Sequence, residues 1–290
     1  MKVSEILRED KVTISCEMFP PKKGSQLENY KETAARMAAL QPSYLSCTYG
    51  ATGGTSDYTV EIADTINNCG VPAIAHLTCA SSTKEKVQSV IEELKERNIE
   101  NILALRGDIP EHVDFPLPNQ FHHAIELIEQ IKMSGGDFCI GGACYPEGHP
   151  EAANMNEDIR HLKEKVDAGC DYLTTQLFFD NNIFYNFMYK ALKQGIEVPV
   201  VPGIMPITSA SQLNHVGTLS GHAVPVKFLS IVDRFGDDPG AMKQAGIAYA
   251  TEQIIDLIAN GFNHIHIYSM NKPDVAGAIM DNLSDIFVRS

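Results

Sequence analysis

The sequence predicts an α/β protein of the (β/α)₈ TIM-barrel type, one domain over residues 1–290, on three observations. Eight short β-branched or apolar runs alternate with longer segments of helical periodicity. Parallel strands buried on both faces read as such near-continuous runs, and each needs a crossover helix before the next. The fingerprints of the competing doubly wound sheet, GxGxxG and GxxxxGK(S/T), do not occur. A length of 290 residues suits a single α/β barrel of roughly 250 residues, which buries roughly 75% of its unfolded surface and needs no disulfide or structural metal to fold.

The first strand is expected over Val12–Met18, and helix Gln26–Leu40 follows it after two prolines. The second strand, Tyr44–Thr48, leads through YGATGGTS to helix Tyr58–Asn68. Gly50, Gly53 and Gly54 there read as a loop rather than a phosphate cradle. The third strand, Ala73–Thr78, precedes helix Thr83–Arg97. In that helix Val87, Val90, Ile91 and Leu94 share one face, Lys84, Lys86, Glu92, Glu93 and Lys95 lie largely on the other, and Asn98 ends it. Strand Asn101–Leu105 pairs with helix Asn119–Met133, and strand Asp137–Ala143 with helix Asn156–Ala168. Strand Tyr172–Gln176 is followed by helix Asn181–Gln194, which stops at Gly195. Strand Val198–Pro202 is followed by helix Ser209–Leu219. The stretch Gly221–Gly240 is the least regular and reads as a loop with a short extra helix, ahead of helix Pro239–Asn260. Strand His264–Tyr268 and helix Asp274–Val288 complete the eighth unit, leaving no room for a regulatory domain.

Composition narrows the function classes. Lys plus Arg number 23 and Asp plus Glu 37, a formal charge of −14, so a nucleic-acid backbone is not the expected partner. A small anion held by local donors remains compatible with that balance. MKVSEILRED has no apolar core of a secretory signal, and no run approaches the ~18 apolar residues of a membrane span. Seven cysteines without a CxxC pair fit reduced, mostly buried thiols in a cytoplasmic protein.

In a barrel, chemistry sits in the loops after the strands. The first run ends in Glu17, the second in Thr48 and Tyr49, and the third carries His76 and Thr78. Arg106-Gly107-Asp108 follow the fourth, and Tyr145 through His149 and Pro150 follow the fifth. Thr175 and Gln176 end the sixth; Ser269, Asn271 and Lys272 follow the eighth. Taken singly, Glu17 reads equally as a rim ion-pair partner, Asp108 as a turn residue before Ile109-Pro110, and His76 as a core histidine. Together they converge on one face. His264 and His266, two apart on one strand, share a face, but no second ligand pair accompanies them and a core or rim placement explains them. No metal site is expected, and no GxSxG supports a nucleophilic serine.

Seven blocks occur in order: CEMFPPK, SCTYGATGG, AHLTC, ALRGDIP, ACYPEGHPEA, KEKVDAGCDYLTTQLFFD and VPGIMPI. From about Val12 to Asn271 the chain resembles the methylenetetrahydrofolate reductase family, in its short bacterial form of a catalytic barrel alone. The resemblance implies non-covalent FAD, reduction of 5,10-methylenetetrahydrofolate to 5-methyltetrahydrofolate, and a homo-oligomer. It implies that Glu17 is the general acid, and that Thr48, His76, Arg106, Gly107, Asp108, Tyr145, His149, Ala152, Asp158 and Lys165 contact the flavin. Asp108 would also meet the pterin, Gln176 the folate, and Gln212 and Lys272 ligand positions that vary among members.

The residue types suit that chemistry. Opening the methylene bridge requires a proton on N10, which leaves a 5-iminium cation for hydride. A free Glu titrates near ~4.3, so Glu17 needs burial or a neighbouring negative charge, such as Asp108, to hold its proton at neutral pH. Asp108 would also stabilise the cation. NADH is the expected electron donor and NADPH the second candidate. Val216 near the place where NADH-using members carry an aromatic, and Lys272 where Arg is common, keep open a flavin-bearing subunit fed by an iron–sulfur partner. A flavin-free, pterin-binding or aldolase-like barrel is the remaining reading.

Overall fold

The strands follow from runs whose alternate residues face two different apolar surroundings. In this computed structural model, which describes residues 1–49, 56–80, 82–109, 116, 118–213, 216 and 224–287, they are β1 (Thr13–Met18), β2 (Leu45–Cys47), β3 (Ala73–Thr78), β4 (Asn101–Leu105), β5 (Cys139–Cys144), β6 (Tyr172–Thr175), β7 (Val200–Val201), β8 (Gly203–Ile204) and β9 (His264–Ile267). All pairings are parallel, in the order β7-β6-β5-β4-β3-β2-β1-β9-β8. Since β7 and β8 are separated only by Pro202, the sheet closes into a barrel.

Closure differs from the single seventh strand expected over Val198–Pro202. Val200–Val201 pairs with β6, and Gly203–Ile204 pairs with β9. Pro202, which has no N–H, still offers its carbonyl to the His266 N–H at 3.0 Å. The Gly203 N–H donates to Thr175 Oγ1 at 2.9 Å. One short segment thus changes partner midway, which period-two patterning does not reveal.

Each strand splits its residues between two layers. Outward residues such as Ile14, Cys16, Leu45, Ala75, Ile102, Leu173 and Ile267 pack with the helices in the main core. The helices are α2 (Leu27–Ala38), α3 (Ser56–Asn68), α4 (Lys84–Glu96), α5 (Ala124–Met133), α6 (Met155–Ala168), α7 (Asn181–Lys193), α8 (Val226–Phe235), α9 (Pro239–Ala259) and α10 (Pro273–Asn282). Several begin on side-chain caps: Thr83, Asn154, Asp180 and Asp238 each accept from backbone N–H groups of the first turn. Inward residues at the bottom of the barrel, Tyr44, Ile74, Leu103, Cys139, Tyr172 and Val201, form a second cluster. It is sealed by Val3, Ile6 and Leu7 of an N-terminal turn, α1 (Val3–Ile6). The Val3 N–H donates to Asn101 Oδ1 at 2.8 Å.

Three expectations are corrected. α1 was not expected, because four residues cannot display a helical period. α5 starts at Ala124 rather than Asn119, where His123 and Glu126 form a capping box. The short extra helix expected in the Gly221–Gly240 stretch is present as the ten-residue α8, and α9 begins at Pro239 as expected. α10 ends at Asn282, well short of Val288. Gly50, Gly53 and Gly54, Pro110, Val288 and part of the expected Ser209–Leu219 helix lie outside the described residues; residues 210–213 are helical. Six cysteines are buried and Cys69 is exposed. Among the described residues no helix is long and apolar enough to cross a membrane.

A methyl group on Gly203 would lie 2.4 Å from the Tyr268 ring and 2.6 Å from the Thr175 carbonyl oxygen. Gly203→Ala is therefore expected to destabilise the barrel by about 1–3 kcal/mol, the range of overpacked cores. Urea unfolding of the variant checks it; an unchanged midpoint contradicts the tight closure.

Candidate active site

The inward face turns polar at the top. There a cavity of about 420 Å³ opens at the C-terminal ends of the strands, lined among others by Glu17, Ser46, Thr48, His76, Gln176, His266 and Tyr268. Glu17 is the penultimate residue of β1 and stands beside Ser46 in register. The end of β9 fixes its chain. Ser269 Oγ donates to the Glu17 carbonyl at 3.3 Å. The Asn271 amide accepts from the Phe19 N–H at 2.9 Å and donates to the Phe19 carbonyl at 3.0 Å. Asn271 does so from a left-handed conformation, φ 54°, which asparagine tolerates better than most residues.

Burial sets the protonation of this chamber. The Glu17 side chain is 15% exposed, and removal from water pushes its pKa up to about 8. The same cause, with a smaller contribution from His266, pulls His76 down to about 3. His76 Nε2 lies 3.8 Å from Glu17 Oε2. At neutral pH both groups are uncharged, so this contact is not an ion pair. His266 is likewise held near 3 by burial and bonds Ser15 Oγ at 2.8 Å and Ser46 Oγ at 3.3 Å. The expectation that Asp108 raises the Glu17 pKa is corrected: Asp108 is exposed on the rim, and desolvation is the cause at Glu17.

A second group of expected residues gathers on the other side. Arg106, Tyr145, His149 and Lys165 line both the first cavity and a neighbouring one of about 400 Å³, which also meets Ala152 and Asp158. The Arg106 carbonyl is fixed by the N–H groups of Cys79 and Ala80. Gly107 takes φ 82° and passes Thr78 so closely that a Cβ would sit 2.9 Å from the Thr78 Cβ. Only glycine fits there without strain. Asp158 accepts from the His149 N–H at 3.0 Å, and the His149 ring meets Tyr145 edge-on at 4.7 Å. Lys165 is half-buried, donates to the Ala143 carbonyl at 2.7 Å, and has its pKa lowered by desolvation. The half-buried Lys165, the Arg106 fork, and the buried unbonded His76 Nε2 and Thr78 Oγ1 form a donor set suited to an anionic, aromatic dinucleotide across two joined cavities. FAD fits these residues.

Other expected residues are distributed less evenly. Gln176 reaches the first cavity, with its Oε1 accepting from the Leu177 N–H at 2.9 Å. Gln212 and Lys272 meet instead at Thr208: Gln212 Oε1 accepts from its N–H at 3.0 Å, and Lys272 Nζ donates to its Oγ1 at 2.9 Å. Val216 is buried in an apolar cluster with Phe228 and Met242. Sequence reasoning undervalued His266 and Tyr268. Their signal was the inward parity of β9, shared with Glu17 on β1; the Tyr268 hydroxyl donates to the Thr175 carbonyl.

The model of the methylenetetrahydrofolate reductase family matches residues 2–284. A 5,10-methylenetetrahydrofolate reductase of Pectobacterium carotovorum is 34% identical over 274 residues, 94% of this chain and 90% of its own. That of Escherichia coli is 31% identical with the same coverage. A methylenetetrahydrofolate reductase (NADH) of Zea mays is 36% identical over 97% of this chain, which spans about half the length of this and the other plant relatives it matches. A Clostridium thermocellum protein described as binding two copies of 5-methyl-5,6,7,8-tetrahydrofolic acid shares the fold, with TM-score 0.65 at 15% identity over 96% of each chain. With its barrel, its strand-end polar residues and the match across nearly its full length, the chain belongs to the methylenetetrahydrofolate reductase family.

Proposed function

We propose that this protein reduces 5,10-methylenetetrahydrofolate to 5-methyltetrahydrofolate with non-covalent FAD, the flavin being reduced by NADH. The observation that carries the reading is Glu17, a carboxyl group that burial keeps protonated at neutral pH inside the larger polar chamber of the barrel mouth. The NADH named for the plant relatives supports the choice of donor over NADPH. A cytoplasmic setting and a homo-oligomer belong to the same reading.

In this mechanism Glu17 gives its proton to N10 of the folate, the C–N bond of the methylene bridge breaks, and a 5-iminium cation remains. Reduced FAD, when bound, supplies the hydride for the iminium carbon. Arg106 and Lys165 bind its anionic part, with Thr48, Gly107, Tyr145, His149, Ala152 and Asp158 around them. Asp108 on the rim meets the pterin and offers its negative charge to the cation. Gln176 contacts the folate, and Gln212 and Lys272 act through the Thr208 corner. Neutral His76 and His266 leave the proton on Glu17 rather than compete for it. Once ionised in so dry a place, Glu17 is driven to recover a proton before the next turnover.

The direct test is anaerobic titration of purified protein with NADH, watching the flavin spectrum. Bleaching by NADH and recolouring by methylenetetrahydrofolate are expected. A protein that neither carries nor takes up FAD overturns the reading. Glu17→Gln is expected to keep FAD and NADH oxidation while folate reduction falls roughly 10²-fold or more, the range of general-acid catalysis; stopped-flow measurement of the two half-reactions separates them.

The pH dependence follows from the raised pKa. Folate reduction is expected to decline as pH rises through about 8, where Glu17 loses its proton, while the NADH half-reaction lacks that limb. The native state also retains a proton that the unfolded chain releases above the ordinary value of 4.5. This contribution to stability is complete below 4.5 and is lost as pH climbs to about 8. Glu17→Gln should flatten that decline in urea unfolding compared at pH 5 and pH 8.

A further inference from the structure

The mechanism leaves one ion pair without a part, and it stands at the wall shared by the two cavities. Arg106 Nη1 donates to Glu151 Oε2 and Arg106 Nη2 to Glu151 Oε1, both at 2.6 Å. The carboxylate therefore occupies the paired donors of the guanidinium, the geometry in which arginine grips a phosphate. Arg106 lines both cavities, whereas Glu151 lines only the outer one. Arg106 is 21% exposed and anchored through its backbone after β4, while Glu151 is 57% exposed on the loop after β5. Its other neighbours in that loop hold different partners. Its own N–H donates to His149 Nδ1, the His149 N–H donates to Asp158, and Glu157 accepts from the Ala153 N–H. The rigid member of the pair is thus the arginine, and the displaceable member is the glutamate.

We infer that Glu151 is an internal counter-ion of Arg106 that competes with the diphosphate of a flavin dinucleotide for the same pair of donors. The inference rests on the FAD reading above. It makes cofactor uptake a competition between two anions for Arg106. A flavin without phosphate has no need of that arginine and leaves the pair intact.

The test is titration of the full-length apoprotein with FAD and with riboflavin, following flavin fluorescence. Glu151→Gln removes the competing charge from an exposed position. It is expected to tighten FAD binding about threefold to tenfold, as for release of a partly exposed bidentate ion pair, with riboflavin affinity unchanged. Glu157→Gln, which removes an equal charge from the same cavity but not from Arg106, is expected to leave FAD affinity within about twofold. Equal or weaker FAD binding by Glu151→Gln overturns the inference. So does equal tightening for riboflavin, or equal tightening by Glu157→Gln, which would mean bulk charge alone. If neither wild type nor variants bind FAD, the cofactor reading falls and the inference with it. FAD binding that is indifferent to Glu151 overturns the inference alone.

Discussion

The mouth of this barrel depends on how its seventh strand closes the ring. Two residues pair with β6, two with β9, and Pro202 marks the change. A proline at the junction leaves no stranded N–H, and a glycine after it admits the Tyr268 ring and the Thr175 carbonyl against bare backbone. That closure brings β9 against β1, Ser15 against His266, and the end of β9 against the chain that carries Glu17. Shifting the register by one residue would turn every one of these side chains toward the helices.

The two halves of the site work by opposite electrostatics. Around Glu17 the barrel removes water, and that desolvation holds the Glu17 carboxyl and the His76 and His266 imidazoles in their neutral forms. Around Arg106 the loops keep full charges, but pair them. A neutral, dry chamber suits a proton that must be held until needed. A charged, wetter one suits an anion that must be recognised and retained.

Much of this was legible in the residues. Their position at the ends of the strand runs placed Glu17, His76 and Gln176 at the barrel mouth, and the strand–helix rhythm pointed to the barrel. Four things were hidden for physical reasons. The turn Val3–Ile6 is too short to show a period, and its partners lie a hundred residues away in sequence at Asn101. The division of strand seven depends on which neighbours lack a partner, a property of the closed ring and not of the segment VVPGI. The Glu17 pKa was expected to need either burial or Asp108, and only folded geometry could choose burial, because Asp108 follows a different strand and faces solvent. Glu151, one letter within a loop motif, gave no hint that it would find Arg106.

The small helix beneath the barrel has a consequence for the order of folding. Its seat is built from Tyr44, Ile74, Leu103, Cys139, Tyr172 and Val201, contributed by strands spread across most of the ring. The segment Val3–Leu7 leaves the ribosome ahead of all of them, yet its docking site exists only after the seventh strand has emerged. Closing so long a loop is entropically unfavourable until its contacts form together. Docking of this segment therefore reports the assembly of strands two to seven: the part of this chain made early is seated late, and solvent protection at Val3 becomes a clock for that assembly.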